Sequence, residues 1–117
     1  MHTHIRVYAY DYIDMYTRVC YCRGGGGNME IITFAAIKGG VGKTSIAYNF
    51  ATYLSERDNY VLVIDQDHQC SISQLFDCDK QQNTVKGIYT GEKVEIKNVR
   101  KNIDLITGDY YLDRTED

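Results

Sequence analysis

The stretch IITFAAIKGGVGKTS, residues 31–45, is the most informative part of the 117-residue sequence for predicting its fold. Its first seven residues form a continuous apolar run, which predicts a buried parallel strand. Gly39, Gly40 and Gly42 then allow a tight turn whose backbone N–H groups can approach an anion closely. Lys43 follows at once, where it can reach β- and γ-phosphate oxygens, and the residues after it predict a helix. This order of strand, loop and helix predicts a phosphate-binding loop.

The residues after the loop complete a βαβ unit. Residues 45–57 predict a helix and residues 60–64 (YVLVI) a second buried strand, and Asp58 and Asn59 supply the turn between them. Such a unit is expected to be right-handed and parallel, with ligands bound at the carboxyl ends of its strands. Asp65 and Asp67 emerge at that end. The helix prediction rests on the apolar positions Ile46, Ala47, Phe50, Ala51 and Leu54.

The loop resembles that of the ParA/MinD-type partition ATPases, which carry a deviant Walker A motif. Their loop reads KGGVGKTT, and residues 38–45 differ from it only at Ser45. The common Walker A pattern has glycine where this chain has Ile37, and it does not require a lysine at position 38. The resemblance implies an α/β fold, the P-loop three-layer sandwich with a mostly parallel sheet, present here in part.

The same resemblance implies ATP and Mg²⁺ as cofactors and gives the loop residues their roles. Lys43 is expected to bind the β- and γ-phosphate oxygens, and Thr44 is expected to ligate Mg²⁺. Lys38 is expected to reach across a nucleotide-sandwich dimer to the partner's phosphates. The residues expected to contact the nucleotide are Gly39, Gly40, Val41, Gly42, Lys43, Thr44 and Ser45.

Residues 65–69, DQDHQ, resemble the DLDPQ segment of the ParA branch. The resemblance implies that Asp67 positions or activates the attacking water and that Asp65 helps to organise the Mg²⁺ shell. Carboxylates near a metal and a triphosphate stay ionised and can accept a hydrogen bond from water. His68 departs from the family's usual proline, whereas Gln69 favours the ParA branch over the MinD branch. The alternative is that both acids are ordinary exposed residues at a strand end.

The rest of the chain predicts shorter elements. Residues 71–76 predict a short helix, and residues 84–90 predict a second one that ends at Gly91. Residues 103–106 predict a third strand, and residues 98–102 a charged surface turn.

One domain boundary is predicted, between residues 28 and 29. Residues 1–28 carry five of the eleven tyrosines and are expected to be a tail foreign to the family, either disordered or translated from a start codon placed too far upstream. The alternation of Ile5, Val7 and Ala9 leaves an added edge strand open. Residues 29–117 are expected to be the N-terminal part of a ParA-like ATPase domain, truncated before the family's Walker B strand.

The resemblance implies an ATP-hydrolysing protein of plasmid, phage or chromosome partition. It would act as an ATP-dependent homodimer with a ParB-like centromere-binding partner, and it would bind non-specific DNA through a region missing here. Two alternatives stay open: a truncated, non-catalytic nucleotide-binding or interaction remnant, and a MinD-like cell-division ATPase. The net charge of −3 argues against nucleic-acid binding by this part. Without a signal peptide or a long apolar stretch, a cytoplasmic protein with no membrane partner is expected.

Overall fold

The computed structural model describes residues 15–23, 28–36, 43–67 and 69–111. The five strands form one sheet in the order β2-β1-β3-β5-β4. Along the chain the elements are β1 (Met15–Arg23), β2 (Met29–Ala36), α1 (Lys43–Ser55), β3 (Asn59–Asp65), α2 (Ser71–Leu75), α3 (Lys86–Thr90), β4 (Lys97–Arg100) and β5 (Ile103–Ile106).

The sheet is mixed, and the fold is of the predicted α/β class. β3 pairs with β5 in parallel, whereas β1–β2, β1–β3 and β4–β5 are antiparallel pairs. The prediction of a mostly parallel sheet is therefore wrong for the described strands. Because β2 and β3 are both antiparallel to β1, they run in the same direction, as the predicted βαβ unit requires, but β1 lies between them. The three-layer arrangement stays a prediction.

β1 occupies the interior of the sheet. Its backbone pairs with β2 on one side and with β3 on the other, and Thr17, Val19 and Cys20 are buried. Residues 15–23 thus differ from the tail that was expected over residues 1–28. Their β-branched and aromatic side chains suit a strand, and composition alone did not reveal this. Ile5, Val7 and Ala9 lie outside the described residues, and the domain boundary itself stays a prediction.

Among the described strands, β2 lies at the edge of the sheet, and the residues of it whose burial is described are not buried as the apolar run predicted. Met29 is 44% exposed, and Ile31 and Ile32 are only half-buried. A continuous apolar run indicates burial but does not say how many neighbouring strands will pair with it.

α1 packs across one face of the sheet and forms the core with it. The predicted apolar stripe is confirmed at four positions, whereas Ile46 is 58% exposed. α2 adds Ile72, and Phe76 just beyond it places its ring 4.8 Å from that of Tyr48. Burial of a large apolar side chain such as Ile72 or Phe76 contributes about 1.5–3 kcal/mol to the free energy of unfolding relative to leaving it exposed. The buried core consists of Val19, Ala47, Ala51, Leu54, Val61, Val63, Ile72, Phe76, Ile103 and Leu105.

The later elements agree with the sequence except at one place. β3, α2, α3 and β5 form where the sequence predicted them, and Gly91 ends α3 with a φ of 80°. The surface turn predicted over residues 98–102 is wrong at residues 98–100, where β4 pairs with β5 as an edge strand, and is confirmed at residues 101 and 102, which join the two strands. Charged side chains are common on such edges, so charge did not exclude a strand. Across the described residues, every helix is too short or too polar to cross a membrane.

Candidate functional site

The glycine-rich loop joins β2 to α1. β2 ends at Ala36 and α1 begins at Lys43, so a strand and a helix flank the loop as the motif predicts. Residues 37–42 lie outside the described residues, and of Lys43 only the backbone is described. The nucleotide contacts of these residues therefore stay predictions. The predicted site residues outside the described part are Lys38, Gly39, Gly40, Val41 and Gly42.

The first turn of α1 suits an anion. It contains no acidic residue, so no carboxylate of its own turn opposes the positive end of the helix dipole. Thr44 is half-buried and Ser45 is exposed. Their hydroxyl groups follow the loop directly, which is compatible with the predicted contacts to Mg²⁺ and phosphate.

The carboxyl ends of β2 and β3 lie level with each other. Thr17 of β1 pairs with Phe34 on one side and with Asp65 on the other. With neighbouring strands about 4.8 Å apart, the two ends are separated by roughly 10 Å. β5 runs parallel to β3, so its exit at residues 107–109 shares this edge. The structure thus brings both predicted aspartates to the edge where the loop begins, which is where α/β sheets bind ligands.

Asp65 is held entirely by protein donors. The residue is fully buried, and its Oδ2 accepts hydrogen bonds from the backbone N–H of Ser73 at 3.1 Å and from Ser73 Oγ at 2.6 Å. Its Oδ1 accepts the backbone N–H of Asp67 at 3.1 Å. Burial raises the pKa of Asp65 from 3.8 to about 6, although the hydrogen bonds from Ser73 and Asp67 oppose the shift.

Asp67 begins a second turn of the same kind. It is 2% exposed, and its Oδ1 accepts the backbone N–H of Gln69 at 2.8 Å. Side chains of aspartate commonly accept a backbone N–H two residues on, and Asp65 and Asp67 do so in succession. The alternative that these are ordinary exposed acids is wrong, since both are buried. His68 lies outside the described residues.

The oxygen atoms at this edge are compatible with Mg²⁺ bound together with a nucleotide. Mg²⁺ usually takes one or two carboxylates, waters and substrate phosphates. Asp65 is fully buried and accepts three hydrogen bonds from the protein, which use three of the roughly four accepting positions of its carboxylate. Within the described part of the chain, no three His, Cys, Asp or Glu residues are grouped to hold a metal. Phosphate oxygens would have to supply ligands.

Sequence reasoning missed four residues that build this edge: Ser73, Thr84, Gly108 and Asp109. Thr84 Oγ1 donates to Asp109 Oδ2 at 2.6 Å, and the backbone N–H of Gly108 donates to Ser73 Oγ at 3.0 Å. Polar residues directly after the predicted third strand were a signal for Gly108 and Asp109. Ser73 lies inside a short helix, where a serine carries no such signal.

Comparisons with known proteins identify the family of the chain. A family model described as an AAA domain matches residues 29–117. A Rhizobium rhizogenes protein named "Putative replication protein A" is 38% identical over 84 residues, covering 66% of this chain and 21% of that protein. A protein of the same name from Sinorhizobium fredii is 30% identical over 84 residues, covering 72% of this chain and 20% of its own length.

An archaeal relative is also similar. An uncharacterized protein of Methanocaldococcus jannaschii is 34% identical over 99 residues, covering 75% of this chain and 38% of that protein. The chain therefore spans about a fifth of the two rhizobial relatives and 38% of the archaeal one. No solved structure matches the chain significantly.

Proposed function

The chain belongs to the AAA domain family, whose P-loop ATPase-like members are related to ParA and MinD, and on this premise we propose that it binds ATP with Mg²⁺ and supports its hydrolysis in a ParA-branch partition protein. One observation carries the proposal: the glycine-rich loop leaves the carboxyl end of β2 level with Asp65 and Asp67. A triphosphate held by the loop would lie at the edge from which both carboxylates emerge.

Hydrolysis in such a site depends mainly on positioning and on charge stabilisation. Lys43 would bind the β- and γ-phosphate oxygens, and Thr44 would hold the metal. Mg²⁺, when bound, neutralises charge on the phosphate oxygens. Asp67 accepts a hydrogen bond from the attacking water and orients it towards the γ-phosphorus. Its backbone is fixed through the hydrogen bond to Asp65 before any ligand arrives, which lowers the cost of reaching the reactive geometry.

Lys38 distinguishes the deviant loop from an ordinary P-loop. One lysine, Lys43, is expected to serve the phosphates within the chain, and the resemblance to the ParA/MinD-type ATPases gives the second lysine a role across a subunit interface. Lys38 contacts the phosphates of a partner copy in an ATP-dependent homodimer. Hydrolysis would then require two copies of the protein, so that it depends on dimerisation.

The biological role that fits is maintenance of a replicon in the cytoplasm. The rhizobial relatives are named replication proteins, which favours a role in the replication or partition of a replicon. A ParB-like centromere-binding partner would stimulate hydrolysis, and non-specific DNA would bind to a part of the protein outside this chain. The acidic net charge of −3 agrees with placing DNA binding elsewhere.

Replacing Lys43 tests nucleotide binding. Lys43→Ala should weaken Mg-ATP binding by more than about tenfold, because a charged hydrogen-bond donor to phosphate is lost. Lys86→Ala is a matched control, since Lys86 also begins a helix. Isothermal titration calorimetry measures both affinities. Unchanged affinity in Lys43→Ala, or an equal loss in Lys86→Ala, would contradict the proposal. Binding without turnover in the natural gene product would instead favour a non-catalytic nucleotide-binding protein.

Replacing Lys38 tests the choice of family branch. Lys38→Gln should keep ATP affinity within about twofold, since the intrachain phosphate contacts remain. It should weaken ATP-dependent dimerisation and slow hydrolysis. Sedimentation with a slowly hydrolysed ATP analogue measures the dimer. A variant that dimerises and turns over like the wild type would assign the chain to ordinary P-loop NTPases.

A further inference from the structure

Ser73 lies where three segments of the chain meet. The residue is fully buried, and its Oγ donates to Asp65 Oδ2 at 2.6 Å while accepting the backbone N–H of Gly108 at 3.0 Å. Its own backbone N–H donates to the same carboxylate oxygen at 3.1 Å. One hydroxyl group therefore connects α2 to the exits of both β3 and β5.

These hydrogen bonds continue to Asp67. Asp65 Oδ1 accepts the backbone N–H of Asp67 at 3.1 Å, so the path runs from Gly108 through Ser73 and Asp65 to Asp67. We call these four residues the Ser73 clasp. The carboxylate of Asp67 is tied to its own turn through the N–H of Gln69 at 2.8 Å. Its orientation therefore follows the backbone that the clasp holds.

Close packing at Gly108 supports the clasp from the other side. A Cβ atom at this position would lie 2.9 Å from Cys70 Sγ and 3.0 Å from both Cγ and Oδ2 of Asp65. Cys70 is fully buried, so it has little room to move. The backbone after β5 thus rests directly against the carboxylate of Asp65, and only glycine fits there without displacing it.

We propose that Ser73 is a positioning residue, which sets the place of Asp67 by acting through Asp65 and is braced by Gly108. The inference rests on the proposed function, in which Asp67 places the attacking water. Removing the Ser73 hydroxyl takes one donor from Asp65 and the acceptor from the Gly108 N–H, both in a buried setting. The exit of β3 then loses its link to β5. A small displacement of a catalytic group can lower the rate strongly while substrate binding is kept.

Amide hydrogen exchange tests the clasp in the nucleotide-free chain. Ser73→Ala is nearly isosteric, and it should speed exchange at the N–H groups of Gly108 and Asp67 by about fivefold, the factor for one lost hydrogen bond. Ser71→Ala, on the same helix, is the matched control and should leave both amides unchanged. Unchanged exchange at Asp67 in Ser73→Ala overturns the inference, whatever the protein's activity.

Steady-state kinetics on the natural gene product tests the consequence. Ser73→Ala should lower kcat about tenfold or more and keep KM within about twofold, because the loop still binds the phosphates. Gly108→Ala, which pushes against Asp65, should show the same split, and Ser71→Ala should match the wild type. A wild-type kcat in Ser73→Ala overturns the inference and leaves the proposed function intact. A wild type without turnover overturns the catalytic role of Asp67 and, with it, the positioning role of Ser73.

Discussion

The exits of β3 and β5 lie side by side and use the same local chemistry. Asp67 Oδ1 accepts the backbone N–H of Gln69, and Asp109 Oδ1 accepts that of Tyr111, each at 2.8 Å. The two turns differ in what surrounds them. Asp109 Oδ2 accepts a hydrogen bond from Thr84 Oγ1 at 2.6 Å, whereas the backbone N–H of Asp67 donates to Asp65 Oδ1 at the edge of the sheet where β2 also ends. The local turn therefore does not reveal the role of an aspartate that follows a strand. Its role depends on the segments of the chain that lie next to the turn.

The largest expected effect is a difference in kcat between a variant at the β3 exit and a variant at the β5 exit. Asp67→Ala should lower kcat by about a hundredfold or more while keeping Mg-ATP affinity, because the water loses the group that positions it. Asp109→Ala should keep kcat close to the wild-type value in the folded fraction, since its carboxylate is bonded to Thr84. Single-turnover hydrolysis and calorimetry on the natural gene product measure the two quantities.

Two results would break this comparison. Equal loss of ATP binding in Asp67→Ala and Lys43→Ala would show that Asp67 binds nucleotide and does not serve the water. Equal loss of turnover in Asp67→Ala and Asp109→Ala would show that both strand exits serve the reaction.

A second effect concerns the buried charge of Asp65, which lies at the β3 exit. Its pKa is raised to about 6 in the folded chain, against 3.8 for an aspartate side chain free of the fold. The folded state therefore binds the proton more tightly, and this contribution to stability is full below pH 3.8 and is lost as the pH rises through 6. At about 1.4 kcal/mol per pKa unit, the change approaches 3 kcal/mol.

The comparison variant for this effect is Asp65→Asn, which cannot ionise. Measured by urea unfolding without Mg²⁺, the stability of the wild type relative to Asp65→Asn should rise as the pH falls from 7 to 4. A difference that is constant over this range, or that falls, would show that the carboxylate is not destabilised by burial.

The smallest effect concerns the Thr84–Asp109 hydrogen bond at the β5 exit. Thr84 is 4% exposed, and Thr84→Val removes the hydroxyl while keeping the shape. The variant should lose about 1–2 kcal/mol of unfolding free energy and no turnover in the folded fraction. Thr33→Val, at an exposed position of β2, is the matched control and should stay within about 0.5 kcal/mol of the wild type. Equal stability of Thr84→Val and the wild type would remove the structural role given to Asp109.

Local patterns in the sequence predicted much of this fold. Apolar spacing predicted α1 and a β-branched, apolar run predicted β3, because these signals depend on neighbours a few residues apart, whereas β5 was predicted from the resemblance to the ParA relatives. The same reasoning placed Asp65 and Asp67 at a strand exit next to the glycine-rich loop, since parallel strands end at a common edge. The charged residues of β4 led to the prediction of a surface turn, whereas Lys97 and Arg100 lie on an edge strand.

Pairing between distant segments settled the rest. Insertion of β1 between β2 and β3 depends on backbone hydrogen bonds to two strands at once, and no local pattern specifies such partners. The Ser73 clasp joins residues 8 and 35 positions apart in the chain. Ser73 gained its role only when α2 folded against the exits of β3 and β5, because a buried hydroxyl must find its partners in whichever segments surround it.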